Sequence, residues 1–200
     1  MLKNTRSKMI DKEALRKTAM DRRLAFVSSL SFGTLERVSL GLVERFQQYF
    51  QIPKDYVIST YFPKADEQNV RLLNFFLTEE GYVMAYPRVE ESGNLSFRQV
   101  HSTKELEMGS FGVMQPPESA PMVDPDLFIV PLLAFDVRCH RLGYGKGHYD
   151  RALAQARADR NVLAIGVAYD MQRIDEIPDE PLDEQLEFVV TEARIYKAEM

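Results

Sequence analysis

One cysteine, Cys139, stands in 200 residues. No disulfide framework can form, and a reducing compartment fits. Positive charge is not in excess either: the formal net charge is −5. That balance argues against a general nucleic-acid binder and leaves room only for a local basic pocket. No apolar run reaches the length of a membrane span. The N-terminus lacks the continuous apolar stretch of a secretory signal. His101, His140 and His148, the three histidines, have no metal-ligand spacing, so no zinc is expected. Repeats, low-complexity tracts and an interdomain linker are missing too. These absences leave a cytoplasmic protein of one domain, residues 1–200, long enough to build a core without staples. Its 45% hydrophobic and 28% charged residues place it among globular chains rather than disordered ones.

Strand and helix patterns alternate along that chain. Residues 11–30 read as a helix with Asp11 as N-cap and Leu15, Ala19 and Leu24 on one face. Lys12, Arg16, Lys17, Arg22 and Arg23 crowd its other side, either as a solvated charged face or as one that partly reaches a bound phosphate. A second helix is expected from Thr34 to Phe50, and a strand from Tyr56 to Phe62. A helix over 70–79 ends at Gly81, and strands over 82–86 and 95–100 follow as a pair. Residues 104–107 suggest a helical turn, and 109–117 an irregular loop. Buried strands are expected at 127–130 and 161–168, a polar loop over 172–183, and a last strand at 188–190. This order predicts an α/β fold: a mostly parallel sheet covered on both faces. Ligands in such sheets sit beyond the carboxyl ends of the strands. Four candidate loops fall there: Phe62 to Glu67, Arg88, Asp136 to Asp150, and Asp170 to Asp183.

The segment from Phe128 to Ala158 is the most informative. An apolar strand is followed by a polar connection with Asp136, Arg138, His140 and Arg141, then by Gly143, Gly145 and Gly147, which alternate with Tyr144 and Lys146, and by a helical segment. Glycines let backbone N–H groups approach an anion, and a helix N-terminus supplies unpaired N–H groups behind them. Arg141 and Lys146 add full charges. The spacing is neither a Walker A loop, which needs a Gly-Lys-Ser/Thr end, nor the G-x-G-x-x-G fingerprint. Two readings therefore stay open: a phosphate cradle, or a tight turn with a solvated lysine. Asp150 sits in the first turn of the helix. It either holds a cation between itself and phosphate, or merely compensates the helix dipole, worth under about 1 kcal/mol.

Taken together the blocks resemble the 5-formyltetrahydrofolate cyclo-ligase family, also called methenyltetrahydrofolate synthetases. They are KEALRK at 12–17, YFPKADE at 61–67, YPRV at 86–89, FGVMQPP at 111–117, VPLLAFD at 130–136, RLGYGKGHYDRAL at 141–153, AIGVAYDMQ at 164–172, and PLD and VVTE near the end. The resemblance covers nearly the whole chain. It implies a three-layer α/β/α sandwich, Rossmann-like, and an enzyme that uses MgATP to convert 5-formyltetrahydrofolate into 5,10-methenyltetrahydrofolate, ADP and phosphate. By matching positions, it implies that Lys12, Glu13, Ala14, Leu15 and Arg16 touch ATP. Arg141, Leu142, Gly143, Tyr144, Gly145, Lys146, Gly147, His148 and Tyr149 would wrap its phosphates and base. Asp150 and Asp183 would hold Mg²⁺. Phe62 and Glu67 would line the folate site, joined by Tyr149 or Arg88. Glu67, Lys146 and Arg141 are the implied catalytic groups, and a monomer is implied.

Four positions depart from the family pattern. Cys139 stands where the family commonly has Gly, His148 where it has Tyr, Gln115 where Glu is frequent, and Leu182 where His precedes Asp183. Cys139 reads as a replaced turn residue rather than a nucleophile. The competing readings are another small ATP-dependent kinase or ligase using the same loop, and a non-catalytic binder of folate or nucleotide. A kinase leaves its phosphate on the product, whereas a cyclo-ligase releases it.

Overall fold

The structure is a computed structural model that describes residues 11–64, 66–109 and 112–199. Ala65 in the YFPKADE block and Phe111 in the FGVMQPP block lie outside the described residues, as does the stretch before residue 11. The described residues open with two helices. Helix α1, Lys12–Ser29, is capped by Asp11, whose carboxylate accepts the Glu13 N–H at 2.9 Å. Helix α2, Phe32–Tyr49, is capped by Ser31. Strand β1 is Val57–Ser59, α3 is Arg71–Glu79, β2 is Val83–Val89 and β3 is Leu95–Gln99. Short strands β4, Glu107–Met108, and β5, Met114–Gln115, pair with each other. Then come β6, Leu127–Pro131, the hairpin of β7, Ala134–Phe135, with β8, Arg141–Leu142, and helix α4, His148–Asp159. Strands β9, Leu163–Val167, β10, Phe188–Val190, and β11, Ile195–Lys197, complete the chain.

Seven strands form one sheet in the order β11-β10-β9-β6-β1-β2-β3. The five inner strands are parallel; β3 and β11 run antiparallel at the two edges. Period-two alternation splits β6 between two cores. Leu127 and Ile129 face a layer built by Leu42, Val43 and Phe46 of α2 and Leu73 and Leu77 of α3. Phe128 and Val130 face the opposite layer, with Leu153 of α4 and Leu186. Leu153 is fully buried, which contributes about 1.5–3 kcal/mol by removal from water. The fold is thus the expected α/β/α sandwich. A Cβ on Gly166 would meet Leu186 at 2.6 Å and Leu132 at 2.7 Å, so that strand position admits no side chain.

Helix α1 belongs to neither layer. It lies over the carboxyl ends of the strands, packing Leu15 and Ala19 on Ala134, Leu142 and Ile177. Leu24, expected on the same apolar face, is exposed, and Arg23, expected among the solvated cations, is only 2% exposed. The face of α1 turned to the protein therefore mixes Lys12, Arg16 and Arg23 with Leu15, Ala19 and Phe26, which an apolar-stripe rule reads only in part.

Three further expectations change, and one is filled in: the polar connection expected between the central strand and the glycine loop is the β7–β8 hairpin. The hairpin turn is organised by Asp136, a fully buried carboxylate that accepts the N–H groups of Arg138, His140 and Ile177. The loop expected over 109–117 contains β5, and β10 is not the last strand, since β11 pairs with it. Finally, β2 continues through Pro87 to Val89 instead of ending at 86.

Candidate active site

A cavity of about 440 Å³ opens where β1, β2 and β6 end. One wall is the glycine loop and the first turns of α1 and α4. The opposite wall carries Phe62, Pro87, Val89, Leu95 and Val113. Six cations (Lys12, Arg16, Lys64, Arg141, Lys146 and Arg151) line it against four carboxylates, Glu67, Asp150, Glu180 and Asp183. A chain that is acidic overall thus builds a basic pocket, which suits an anionic ligand.

The glycine loop is shaped from below and from the side. Gly145 and Gly147 take left-handed backbone, φ 86° and 63°, which favours glycine. A Cβ on Gly145 would lie 3.2 Å from the Arg16 guanidine carbon. That closeness lets the Arg16 Nε donate to the Gly143 carbonyl at 3.0 Å. Gly147 is the N-cap of α4 and offers no side-chain acceptor, so the first-turn N–H groups of the helix remain for a ligand. Arg151 braces the loop from outside, donating to the carbonyls of Lys146 and Gly93 at 2.9 and 2.8 Å. Lys146 and His148 both line the cavity. Burial holds the His148 imidazole below its usual range, with Arg151 and Lys146 adding repulsion, so it is neutral at pH 7.

Two carboxylates line the same cavity. Asp150 Oδ1 accepts from Arg141 Nη2 at 2.6 Å and from the Glu184 N–H at 3.3 Å. Its Oδ2 is turned towards Gly147, 4.0 Å from where a Cβ would stand. Asp183 pairs with Lys12 at 2.5 Å, and Lys12 also reaches Glu180 at 3.2 Å. Among the described residues no group of three or more His, Cys, Asp or Glu is placed to hold a metal ion. A cation here would lean on these two carboxylates and on ligand oxygens, which is how Mg²⁺ is commonly held.

At the other end Glu67 is buried, not a solvated loop carboxylate. Its Oε2 accepts the Lys64 N–H at 2.8 Å, and its Oε1 accepts a hydrogen bond from the Tyr144 hydroxyl. Tyr149 lies across from it. The Tyr149 hydroxyl is buried with no hydrogen-bond partner among the described residues, and so is Arg141 Nε. Burial, then the nearby Glu67 charge, pushes the Tyr149 phenol well above its ordinary range. Two unsatisfied polar atoms in one cavity wall are groups a ligand can satisfy. The Arg141 guanidinium stands 5.9 Å from the Tyr149 ring centre.

Most sequence candidates converge on this cavity: Lys12, Arg16, Phe62, Glu67, the whole run Arg141 to Asp150, and Asp183. Glu13 and Ala14 are exposed, and Leu15 packs into the small cluster under α1, so none of these three lines it. Arg88 does not line it either. Its neighbours Pro87 and Val89 do, and strand alternation turns Arg88 to the other face, where it binds Glu107 at 2.9 Å and the Pro116 carbonyl at 2.8 Å. Sequence reasoning missed Tyr61, Lys64, Arg151 and Glu180. Each lay inside a stretch already singled out, Tyr61 and Lys64 in YFPKADE, Arg151 in RLGYGKGHYDRAL and Glu180 in the 170–183 loop, but none was picked from it. Cys139, fully buried at φ 63°, occupies a left-handed turn position. Burial pushes its thiol up to about 12, so it is no nucleophile.

Comparison with known proteins points to one family. The description "5-formyltetrahydrofolate cyclo-ligase family" matches residues 8–192. The chain is 30% identical to the 5-formyltetrahydrofolate cyclo-ligase of Mycoplasma pneumoniae over 92% of its own length and 99% of that protein. It is 34% identical to the Escherichia coli K12 protein of the same name over 53% of this chain; that match spans 60% of the relative's length. Among solved structures, the NMR structure of Aquifex aeolicus 5,10-methenyltetrahydrofolate synthetase aligns with a TM-score of 0.78 at 29% identity, covering 94% of this chain and 93% of that one.

Proposed function

The chain belongs to the 5-formyltetrahydrofolate cyclo-ligase family, and from that premise we propose that it converts 5-formyltetrahydrofolate into 5,10-methenyltetrahydrofolate at the expense of ATP. The observation that carries this reading is the two-ended cavity. A glycine loop with cations and a helix N-terminus meets the needs of a triphosphate. An apolar wall with a buried carboxylate, in a cavity of about 440 Å³, suits the folate.

The reaction asks mainly for placement and charge neutralisation. The formamide oxygen takes the γ-phosphoryl group, releasing ADP. The N10 amine then attacks the same carbon, loses its proton, and the C–O bond breaks to free phosphate. Lys146, Arg141 and the loop N–H groups would meet charge on the transferring group. Asp150 and Asp183 would hold Mg²⁺, which when bound neutralises phosphate charge. Lys12 and Arg16 would fix α1 against the nucleotide. Glu67 would orient the folate and accept the N10 proton, with Phe62 and Tyr149 packing on the rings. Arg88 is proposed to act on the folate only indirectly, through the segment it holds at Pro116.

A monomer acting in the cytoplasm on small molecules, with no nucleic acid, completes the proposal; among the described residues no helix is long and apolar enough to cross a membrane. The test is direct. Purified protein, MgATP and 5-formyltetrahydrofolate should yield the methenyl chromophore together with free phosphate. Phosphorylated product would indicate a kinase, and tight binding without turnover would indicate a binder.

A further inference from the structure

The guanidinium of Arg23 is the most deeply buried cation near the site and has no role in the chemistry above. It donates to Asp66 Oδ2 at 3.0 Å, to the Leu132 carbonyl at 3.2 Å, and to the Tyr144 hydroxyl at 2.9 Å. A guanidinium can only donate, so the Tyr144 oxygen is the acceptor in that bond. The phenol has one proton, and it is given to Glu67 Oε1. Burial, then the Glu67 charge, pushes the Tyr144 phenol up, so the proton stays on Tyr144. The second Glu67 oxygen takes the Lys64 N–H. Every bond in the chain thus runs one way, towards Glu67.

We infer that Arg23 and Tyr144 are positioning residues that hold Glu67 as a hydrogen-bond acceptor facing the folate end of the cavity. This rests on the cyclo-ligase reading above. The consequence is a direction of proton flow. With its oxygens fed by Tyr144 and Lys64, Glu67 keeps lone pairs for a proton from the substrate and has none of its own to give. As N10 closes the ring, its N–H bond breaks and the proton passes to the carboxylate, which returns it to solvent. Tyr144 also sits inside the glycine loop, so one hydroxyl ties the phosphate end of the cavity to the folate end.

The experiment is a double-mutant cycle on turnover. Tyr144→Phe removes the hydroxyl and keeps the ring. Its kcat should fall by about ten- to a hundredfold, with KM for ATP and for 5-formyltetrahydrofolate little changed and the melting temperature retained. Arg23→Gln should lower kcat in the same way. The double variant should be no slower than the slower single one, because both changes break one chain. If Arg23→Gln does not fold, Arg23→Lys replaces it in the cycle. Lys17→Ala, on the exposed side of α1 and paired with Asp21, is the control and should match wild type. Wild-type kcat in Tyr144→Phe, or multiplied losses in the double variant, overturns the inference alone. A wild-type protein that makes no methenyl product overturns the proposed function, and this inference with it.

Discussion

Arg141 and Asp150 close the base of the glycine loop: the guanidinium at its start and the carboxylate just past its end stand 2.6 Å apart. The pair fixes the loop's ends, and the residues between them line the cavity. Arg141 is 5% exposed and Asp150 20% exposed in their side chains, so the pair is screened only in part. One carboxylate oxygen is committed to Arg141, and the other is turned into the loop. Asp150 can therefore serve structure and cation at once.

That division predicts the behaviour of Asp150→Asn. The amide oxygen can still accept from Arg141, so the loss of stability should stay near about 1 kcal/mol. Turnover should drop by about a hundredfold or more, because neutral Asn is a poor Mg²⁺ ligand. The Mg²⁺ dependence of nucleotide binding should flatten with it. Thermal unfolding and a Mg²⁺ titration of ATP binding check both halves. Wild-type turnover would remove Asp150 from the site.

Lys146 gives a cleaner separation of the two ends. It lies between Gly145 and Gly147 and lines the cavity with them. Lys146→Ala should weaken ATP binding by about tenfold, the worth of one charge-assisted contact, and should slow the chemistry. Binding of folate alone should be unchanged. Titration calorimetry with each ligand distinguishes this from a lysine that is merely solvated, for which neither value moves.

The sheet strands were legible because four-residue apolar runs such as Leu127 to Val130 have few other uses in a chain this size. The glycine loop was legible because its alternation is unusual. What stayed hidden has physical reasons. Strand β11 is a half-exposed edge with weak apolar pattern. Strand β5 sits among glycine and proline, which read as loop. Arg88 was misplaced because Pro87 suggested that the strand had ended, whereas alternation persists through it. Arg23 and Asp136 were hidden for a shared reason: a buried charge looks like a surface charge until its partners, far away in sequence, are brought to it.

Cys139 yields a prediction about pH. Its thiol is pushed from an ordinary 9.0 to about 12 by burial. Between those values the unfolded chain loses the proton and the folded one keeps it. The folded state then binds more protons, so stability falls as pH rises through that window and is unaffected by this group below it. A thiol reagent at pH 8 should label Cys139 only after unfolding. Cys139→Val should lower the melting temperature, because a β-branched residue is poorly tolerated at φ 63°, and should leave the KM values unchanged. Rapid labelling of native protein would contradict the burial argument.

The last prediction concerns which atom attacks the γ-phosphorus. Among the described residues the cavity offers cations, loop N–H groups and carboxylates already engaged with Lys12, Arg141 or Tyr144, but no nucleophile with an activating base. Cys139 is buried with its thiol protonated, and is not part of the lining. His148 lines the wall as a neutral imidazole crowded by Arg151 and Lys146, whose charges oppose the imidazolium that must form after phosphoryl transfer. The remaining acceptor is the formyl oxygen of the substrate. That oxygen must then leave with the phosphate when N10 closes the ring. Substrate carrying heavy oxygen in the formyl group should give inorganic phosphate with one label per turnover, read by mass spectrometry, and unlabelled ADP. His148→Phe should alter affinity and leave the label transfer intact. Unlabelled phosphate, after correction for exchange with water, would mean ATP hydrolysis or a phospho-enzyme. The folate would then be activated by some other route, and Lys146 and Arg141 would serve binding rather than transfer.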